Sequence, residues 1–178
     1  MKKYLLTIAF VAAQISAVAQ TVNVHFKNGQ QIQYPASEVD YVDFQWDEAF
    51  KRLHRKTSRG GVDVGINMDD SVLTRGLLQD DVLAVEGDSV IAVNLEETEV
   101  IKIMVDNGDP AVIAKVCYEI GNRHAPLFRG EDEKTFLTPF NGPMLTMIEK
   151  IPGLTTDVVE AKFNFETRIS ASVSSHTH

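Results

Sequence analysis

The sequence predicts an α+β protein in which a small β-rich domain precedes a ferredoxin-like βαββαβ domain. Three observations predict it. Short runs of alternating apolar and polar residues fill the chain up to about residue 98, and at Asp109-Pro110 the apolar period lengthens from two to nearly four. From Glu99 onward the inferred order is strand, helix, strand, strand, helix, strand, and each helix carries one apolar stripe that a single sheet face can cover. The expected organisation is a leader at 1–19, a β-rich domain at 20–98, the ferredoxin-like domain at 99–168 and a flexible histidine-containing tail at 169–178.

Composition fits that division and removes several functions. The 178 residues, 44% hydrophobic and 24% charged, are enough for one ordinary domain or two small ones with a buried core. A formal charge of −8 argues against nucleic acid, because phosphate binding rests on a dense Lys/Arg surface. The single cysteine, Cys117, can form neither an intrachain disulfide nor a CxxC metal knuckle, so packing must hold the fold.

The leader comes first. Lys2 and Lys3 precede a largely apolar run from Tyr4 to Ala13, and Ala17-Val18-Ala19 supplies the small-x-small pattern of a secretory cleavage site. The run is short of the ~20 apolar residues that span a bilayer, so no stable membrane association is expected. The alternative is that this stretch forms a buried first element of the fold. Next, Val22, Val24 and Phe26 alternate with polar residues, Asn28-Gly29 is a favoured two-residue hairpin turn, and Ile32 and Tyr34 resume the alternation. An extended segment is expected from Glu38 to Phe50, a turn at Ser58-Arg59-Gly60-Gly61, a strand from Val62 to Ile66, and a hairpin joining Asp81–Val85 to Ser89–Leu95 through Glu86-Gly87-Asp88.

A strand from Glu99 to Val105 opens the second domain. Asp109 can then cap the free N–H groups of a helix while Pro110 takes its first position, where no amide donor is needed. Ile113, Val116, Cys117 and Ile120 form one apolar face, and Gly121 is the expected positive-φ residue at the helix end. Strands at Ala125–Arg129 and Lys134–Leu137 flank an acidic turn. A second helix is expected near 143–151, burying Met144, Met147, Ile148 and Ile151. In the last strand Val159, Ala161, Phe163 and Phe165 fall on one side.

No P-loop, HExxH, GxSxG, CxxC pair or dinucleotide glycine fingerprint is present, so the sequence does not predict an enzyme. The histidines, at 25, 54, 124, 176 and 178, are the residues best suited to chemistry. His124 follows a helix end, where an imidazole can project from the surface; it is either a loop histidine or a ligand. His176 and His178 form an HxH near the end of the tail, which is either a terminal remnant or a mobile pair able to complete a site begun on the folded body. His25 reads as solvated. His54 lies in the cationic stretch Lys51-Arg52-Leu53-His54-Arg55-Lys56, which is either a wet strand face or a docking surface for an acidic partner. Cys117 reads as a core thiol, with assistance to a metal as the alternative.

The stretch Ala114-Lys115-Val116-Cys117-Tyr118-Glu119-Ile120-Gly121-Asn122-Arg123-His124-Ala125-Pro126-Leu127 resembles the signature of the UreE family of urease accessory metallochaperones, whose recurrent core is GNRH followed by a small apolar strand. Looser matches flank it at Phe44–Arg52, Ile91–Asn94, Glu99–Ile103 and Thr138-Pro139-Phe140, so the resemblance runs from about residue 39 to 178. It implies a homodimer in which two copies of His124 meet across the symmetry axis, with His176 and His178 as further metal ligands. The implied cargo is Ni(II), with Zn(II) or Cu(II) able to use the same histidines. The implied partners are the GTPase UreG and the urease activation complex, in the cytoplasm. Residues 1 to about 38 are unlike the family and read as the start of an exported protein, so an exported metal-binding or β-rich interaction module without a urease partner is the alternative function.

Overall fold

The computed structural model describes residues 39–86 and 89–169, together with the backbone of four strands before them, Tyr4–Ile8 (β1), Ala12–Ile15 (β2), Thr21–His25 (β3) and Gln31–Pro35 (β4). The chain divides into two compact units, Met1–Glu96 and Glu97–His178, and the architecture is α+β. No helix among the described residues is long and apolar enough to cross a membrane.

In the first unit β3 pairs antiparallel with β4, setting Val22 opposite Tyr34 and Val24 opposite Ile32, the register that alternation about Asn28-Gly29 anticipates. The turn itself, and the side chain of His25, lie outside the described residues. The other strands are Val39–Phe44 (β5), Leu53–Thr57 (β6), Asp63–Met68 (β7), Val82–Glu86 (β8) and Ser89–Leu95 (β9), with a four-residue helix, Val72–Arg75 (α1), between β7 and β8. They form sheets of order β1-β7-β6 and β5-β9-β8, while β2, β3 and β4 form a third. Two pairings are parallel: β5 with β9, and β1 with β7. Tyr4–Ile8 and Ala12–Ile15, inside the expected leader, are therefore strands of this unit. Val42, Phe44, Val64, Ile66, Val90 and Val93 are among its buried residues.

The extended segment expected from Glu38 to Phe50 stops at Phe44. Trp46 to Phe50 are turns, because the Glu48 carboxylate accepts the Gln45 N–H at 2.9 Å and the backbone bonds Glu48 N–H to Gln45 O and Lys51 N–H to Glu48 O close on themselves.

The second unit contains Thr98–Val105 (β10), Pro110–Gly121 (α2), Phe128–Arg129 (β11), Thr135–Pro139 (β12), Gly142–Ile148 (α3) and Leu154–Ala161 (β13). The sheet order is β11-β12-β10-β13, and every neighbouring pair is antiparallel. Helix α2 starts as its capping residues dictate: the Asp109 side chain accepts the Ala111 N–H at 2.9 Å and Pro110 opens the helix. Asn141 caps α3 in the same way, accepting from Met144 N–H at 3.0 Å. Val116, Ile120, Met144 and Ile148 meet Ile101, Ile103, Val105 and Phe136 in one core, with Ile113, Cys117 and Met147 packed at its margin.

Other boundaries in this unit also differ from expectation. The strand expected at 125–129 is only Phe128–Arg129, and α3 ends at Ile148, with turns carrying the chain to Ile151. The last strand ends at Ala161, because Asn164 accepts the Glu166 N–H at 3.0 Å and folds Phe165–Thr167 into a single 3₁₀ turn.

The other sheet face is covered by the segment after β13. Directly opposed residues share a face, so Ile101 and Ile103 face the helices while Lys102, its partner Leu137, and Leu137's partner Phe128 face away. Phe163 and Phe165 pack on Phe128 with ring centroids 4.4 and 6.1 Å from it, and all three are buried. Arg168 then bridges to Phe128, and the Ile169 N–H donates to Leu127 O at 2.8 Å. Residues 162–169 thus run from the β13 edge of the sheet across its face to the β11 edge.

Candidate metal centre

His124 owes its position to the way α2 stops. The His124 N–H donates to Gly121 O at 2.9 Å and the Ala125 N–H reaches back to Ile120 O at 3.3 Å, the paired bonds of a Schellman closure. That closure needs a left-handed residue just past the helix, and His124 supplies it with φ of 56°. The expectation that Gly121 would hold this conformation is thereby corrected: Gly121 is the last helical residue, and the reversal falls three positions later. Ala125 packs against the core beside Ile120, the apolar contact that usually accompanies this motif. His124 itself is exposed.

The residues that follow are held from two sides. Thr138, fully buried on β12, donates its Oγ1 hydrogen to Pro126 O at 2.8 Å, and Ile169 N–H bonds Leu127 O. A short, tied segment therefore leads away from the imidazole. On the helix side Arg123 folds back, its guanidinium donating to Glu119 O at 2.7 Å and to Glu119 Oε2 at 2.8 Å. The nearest acid along the helix is thus engaged by a cation.

Cys117 lies half-buried against the core, and burial pushes its thiol up from the ordinary value, which disfavours the thiolate a metal would bind. Among the described residues no three or more His, Cys, Asp or Glu side chains come together as a metal site. His124 can begin such a site, but the described residues of one chain do not complete it. His176 and His178 lie outside the described residues.

The cationic stretch of the first unit is largely engaged within the chain. Lys51 pairs with Asp47 at 3.7 Å, Arg52 with Asp70 at 2.7 Å, Lys56 with Glu48 at 2.6 Å and Arg59 with Asp43 at 2.7 Å. Guanidinium bonding from Arg59 holds the Asp43 carboxyl below its ordinary range despite partial burial. His54 is half-buried, edge-on to Phe44 with centroids 5.0 Å apart, and bonded to Lys51 O at 2.8 Å. Burial lowers its pKa, and the ring is held in the packing of the first unit.

Sequence reasoning missed the buried Thr138 tie and the segment crossing the sheet. Asn164, a turn-forming residue inside an apparent strand, was the available signal for the second.

Comparisons with known proteins bear on this centre. Residues 23–96 match the family model for the UreE urease accessory protein N-terminal domain, and residues 96–178 match that for the C-terminal domain. The first match begins upstream of residue 39, where the visible resemblance starts. The urease accessory protein UreE of Helicobacter pylori (strain Shi470) is 42% identical over 135 residues, covering 76% of this chain and 77% of that protein. The UreE of Helicobacter acinonychis (strain Sheeba) is 40% identical over 136 residues, 76% of this chain and 78% of that protein. That of Helicobacter bizzozeronii is 32% identical over 155 residues, 87% of this chain and 84% of that protein.

Proposed function

Because the chain belongs to the UreE family of urease accessory proteins, we propose that it binds Ni(II) as cargo and delivers it during urease maturation. Family membership makes it an accessory protein and not an enzyme. The observation that carries the nickel reading is the placement of His124. It is an exposed imidazole in a left-handed conformation that glycine would adopt at lower cost, by about 1 kcal/mol. A residue kept where it costs stability is a candidate for function.

One imidazole does not hold a metal tightly, and two sources of further ligands fit. A second copy of the chain brings a second His124 if the two are related by a two-fold axis. The exposed Tyr118 on α2, 68% accessible, offers apolar surface for that contact. The tail brings His176 and His178. Imidazole donors suit Ni(II), and Zn(II) or Cu(II) can use the same set. Onward transfer would be to the GTPase UreG and the urease activation complex. The βαββαβ order and the antiparallel sheet support reading the second unit as ferredoxin-like.

Calorimetric nickel titration with mass determination of the complex tests this. The expected result is a dimer whose tight site is lost in His124→Ala and only weakened when Ser175 to His178 are removed. Equal binding by the wild type and His124→Ala would sink the reading.

A second reading, an exported metal-binding or β-rich interaction module, is favoured by the leader pattern from Lys2 to Ala19. N-terminal sequencing separates the two: a mature chain beginning at Gln20 has crossed a membrane, and an intact one supports the cytoplasmic role.

A further inference from the structure

Three Asn-Gly pairs occur in the sequence, at 28–29, 107–108 and 141–142, and the first lies outside the described residues. The other two sit in contrasting local settings within the second unit. Asn107 and Gly108 have φ of 53° and 65°, and the Asp109 N–H closes to Asp106 O at 3.4 Å, so residues 106–109 form a turn of type I′ character between β10 and α2. The Asn107 side chain is exposed and makes no hydrogen bond among the described residues. Asn141 is extended instead, with φ of −152°, and its Oδ1 accepts the Met144 N–H at 3.0 Å as the cap of α3, which Gly142 opens.

We propose that Asn107-Gly108 is a site of spontaneous isoaspartate formation, and that the helix cap protects Asn141-Gly142 from the same reaction. In the first step the Gly108 backbone nitrogen gives its proton to solvent base and attacks Asn107 Cγ. The N–Cγ bond forms, the Cγ–Nδ2 bond breaks, and ammonia leaves with a proton from water, closing a five-membered succinimide. Water then opens the ring. Attack at Cγ gives aspartate, and attack at the Asn107 backbone carbonyl gives isoaspartate, with the chain rerouted through Cγ. One water enters and one ammonia leaves, so nothing is oxidised or reduced.

Glycine makes the nitrogen reachable, since it carries no side chain, and even an added β-carbon at Gly108 would meet only Lys134 Cβ within 4 Å, at 3.9 Å. Glycine follows both asparagines, so the settings decide between them. Before the ring closes, Cγ must swing over the next nitrogen. At Asn107 an unbonded side chain does so while a long turn bond yields. At Asn141 the carboxamide must first leave the Met144 N–H, and giving up a cap of this kind lowers the reactive population about fivefold. Isoaspartate at 107 adds one methylene to the backbone two residues ahead of Asp109, which caps α2 through the Ala111 N–H. The modification therefore weakens the start of the helix that ends at His124.

The full chain, incubated folded in mildly alkaline buffer and then digested with trypsin, supplies the test. Cleavage after Lys102 and Lys115 isolates Asn107, and cleavage after Lys134 and Lys150 isolates Asn141, so mass spectrometry follows each separately. The expected result is deamidation at Asn107 about fivefold or more faster than at Asn141, giving isoaspartate as well as aspartate, with the two rates converging in denaturant. Aged protein should also unfold at a lower temperature than fresh protein. Asn107→Gly removes the carboxamide and suits φ of 53°, so it should keep the turn and abolish that fall. Equal rates in the folded chain would overturn the proposal, because the turn would then give no advantage. A difference that survives in denaturant would overturn it too, because flanking sequence and not structure would set the rate. Equal loss of stability on ageing in the wild type and Asn107→Gly would overturn the effect on α2.

Discussion

The two units place their polar groups differently. In the first, Lys51, Arg52, Lys56, Arg59 and Arg75 each meet an acid of the same unit. The sharpest case is Arg75, whose guanidinium makes two 2.8 Å bonds to the Asp81 carboxylate while that carboxylate also accepts the Leu78 N–H. In the second unit Lys102 and Arg123 also pair with acids, but the imidazole of His124 sits exposed on a left-handed turn beside an apolar core. Charges bonded within their own unit hold structure. An exposed imidazole kept at a conformational cost is a candidate for function.

The largest effect should come from breaking this contrast at His124. His124→Ala and His124→Gly both remove the imidazole and should both lose the tight nickel site, by orders of magnitude in affinity. They should differ in stability. Glycine relieves the left-handed strain and alanine does not, so His124→Gly should be the more stable by about 1 kcal/mol, against Schellman geometry that both retain. Denaturant unfolding of the two proteins checks it. Equal stability would show that φ at this position carries no cost, and the functional inference drawn from strain would fall.

In the first unit the corresponding change is Asp81→Ala. Asp81 is 5% exposed, and its loss removes the carboxylate that pairs with the Arg75 guanidinium and accepts the Leu78 N–H. The expected cost is about 2–4 kcal/mol in that unit, with nickel affinity unchanged. By comparison, Arg59→Ala breaks a mostly exposed, solvent-screened pair and should cost far less. A nickel defect in Asp81→Ala, once folding is confirmed by circular dichroism, would mean that the division of labour between the units is wrong.

How much of this was legible in the sequence depended on whether the deciding interaction was local. Asp109-Pro110 announced α2 because capping and proline geometry act within one turn, and the helix runs from Pro110 to Gly121. The N–H groups of His124 and Ala125 decided the other end, and Gly121 drew attention only because glycine usually occupies such a turn. The parallel pairing of β5 with β9 joins residues 39–44 to 90–95, and alternation within either strand says nothing about its partner. The crossing segment 162–169 was hidden for a related reason: apolar alternation continues through Phe163 and Phe165 although the chain has left the sheet, because the same residues now cover its face. For the site, Gly121-Asn122-Arg123-His124 made the candidate ligand legible by resemblance, while its strain was visible only in the backbone.

The smallest expected effect is a pH dependence confined to the first unit, and it separates His54 from the histidine proposed to bind metal. His54 is held half-buried against Phe44, and burial lowers its pKa from the ordinary 6.5, the bond to Lys51 O only partly offsetting this. The folded state therefore prefers the neutral ring. As pH falls below about 6.5 the unfolded chain takes up a proton that the folded chain resists, so the stability contributed by His54 is full above that value and is lost toward the lowered folded pKa. Asp43 and Glu48, whose pKa values are also lowered, lose their contributions only in the carboxylate range, well below this window. Thermal unfolding between about pH 7.5 and pH 5.5 should show a fall of roughly 1–3 °C attributable to His54, present in the wild type and missing from the slope of His54→Gln. Making the measurement in His124→Gly as well removes the exposed imidazole from the comparison. If the slope disappears with His124 and persists with His54→Gln, the titrating group lies in the second unit, and the packed role assigned to His54 is incorrect.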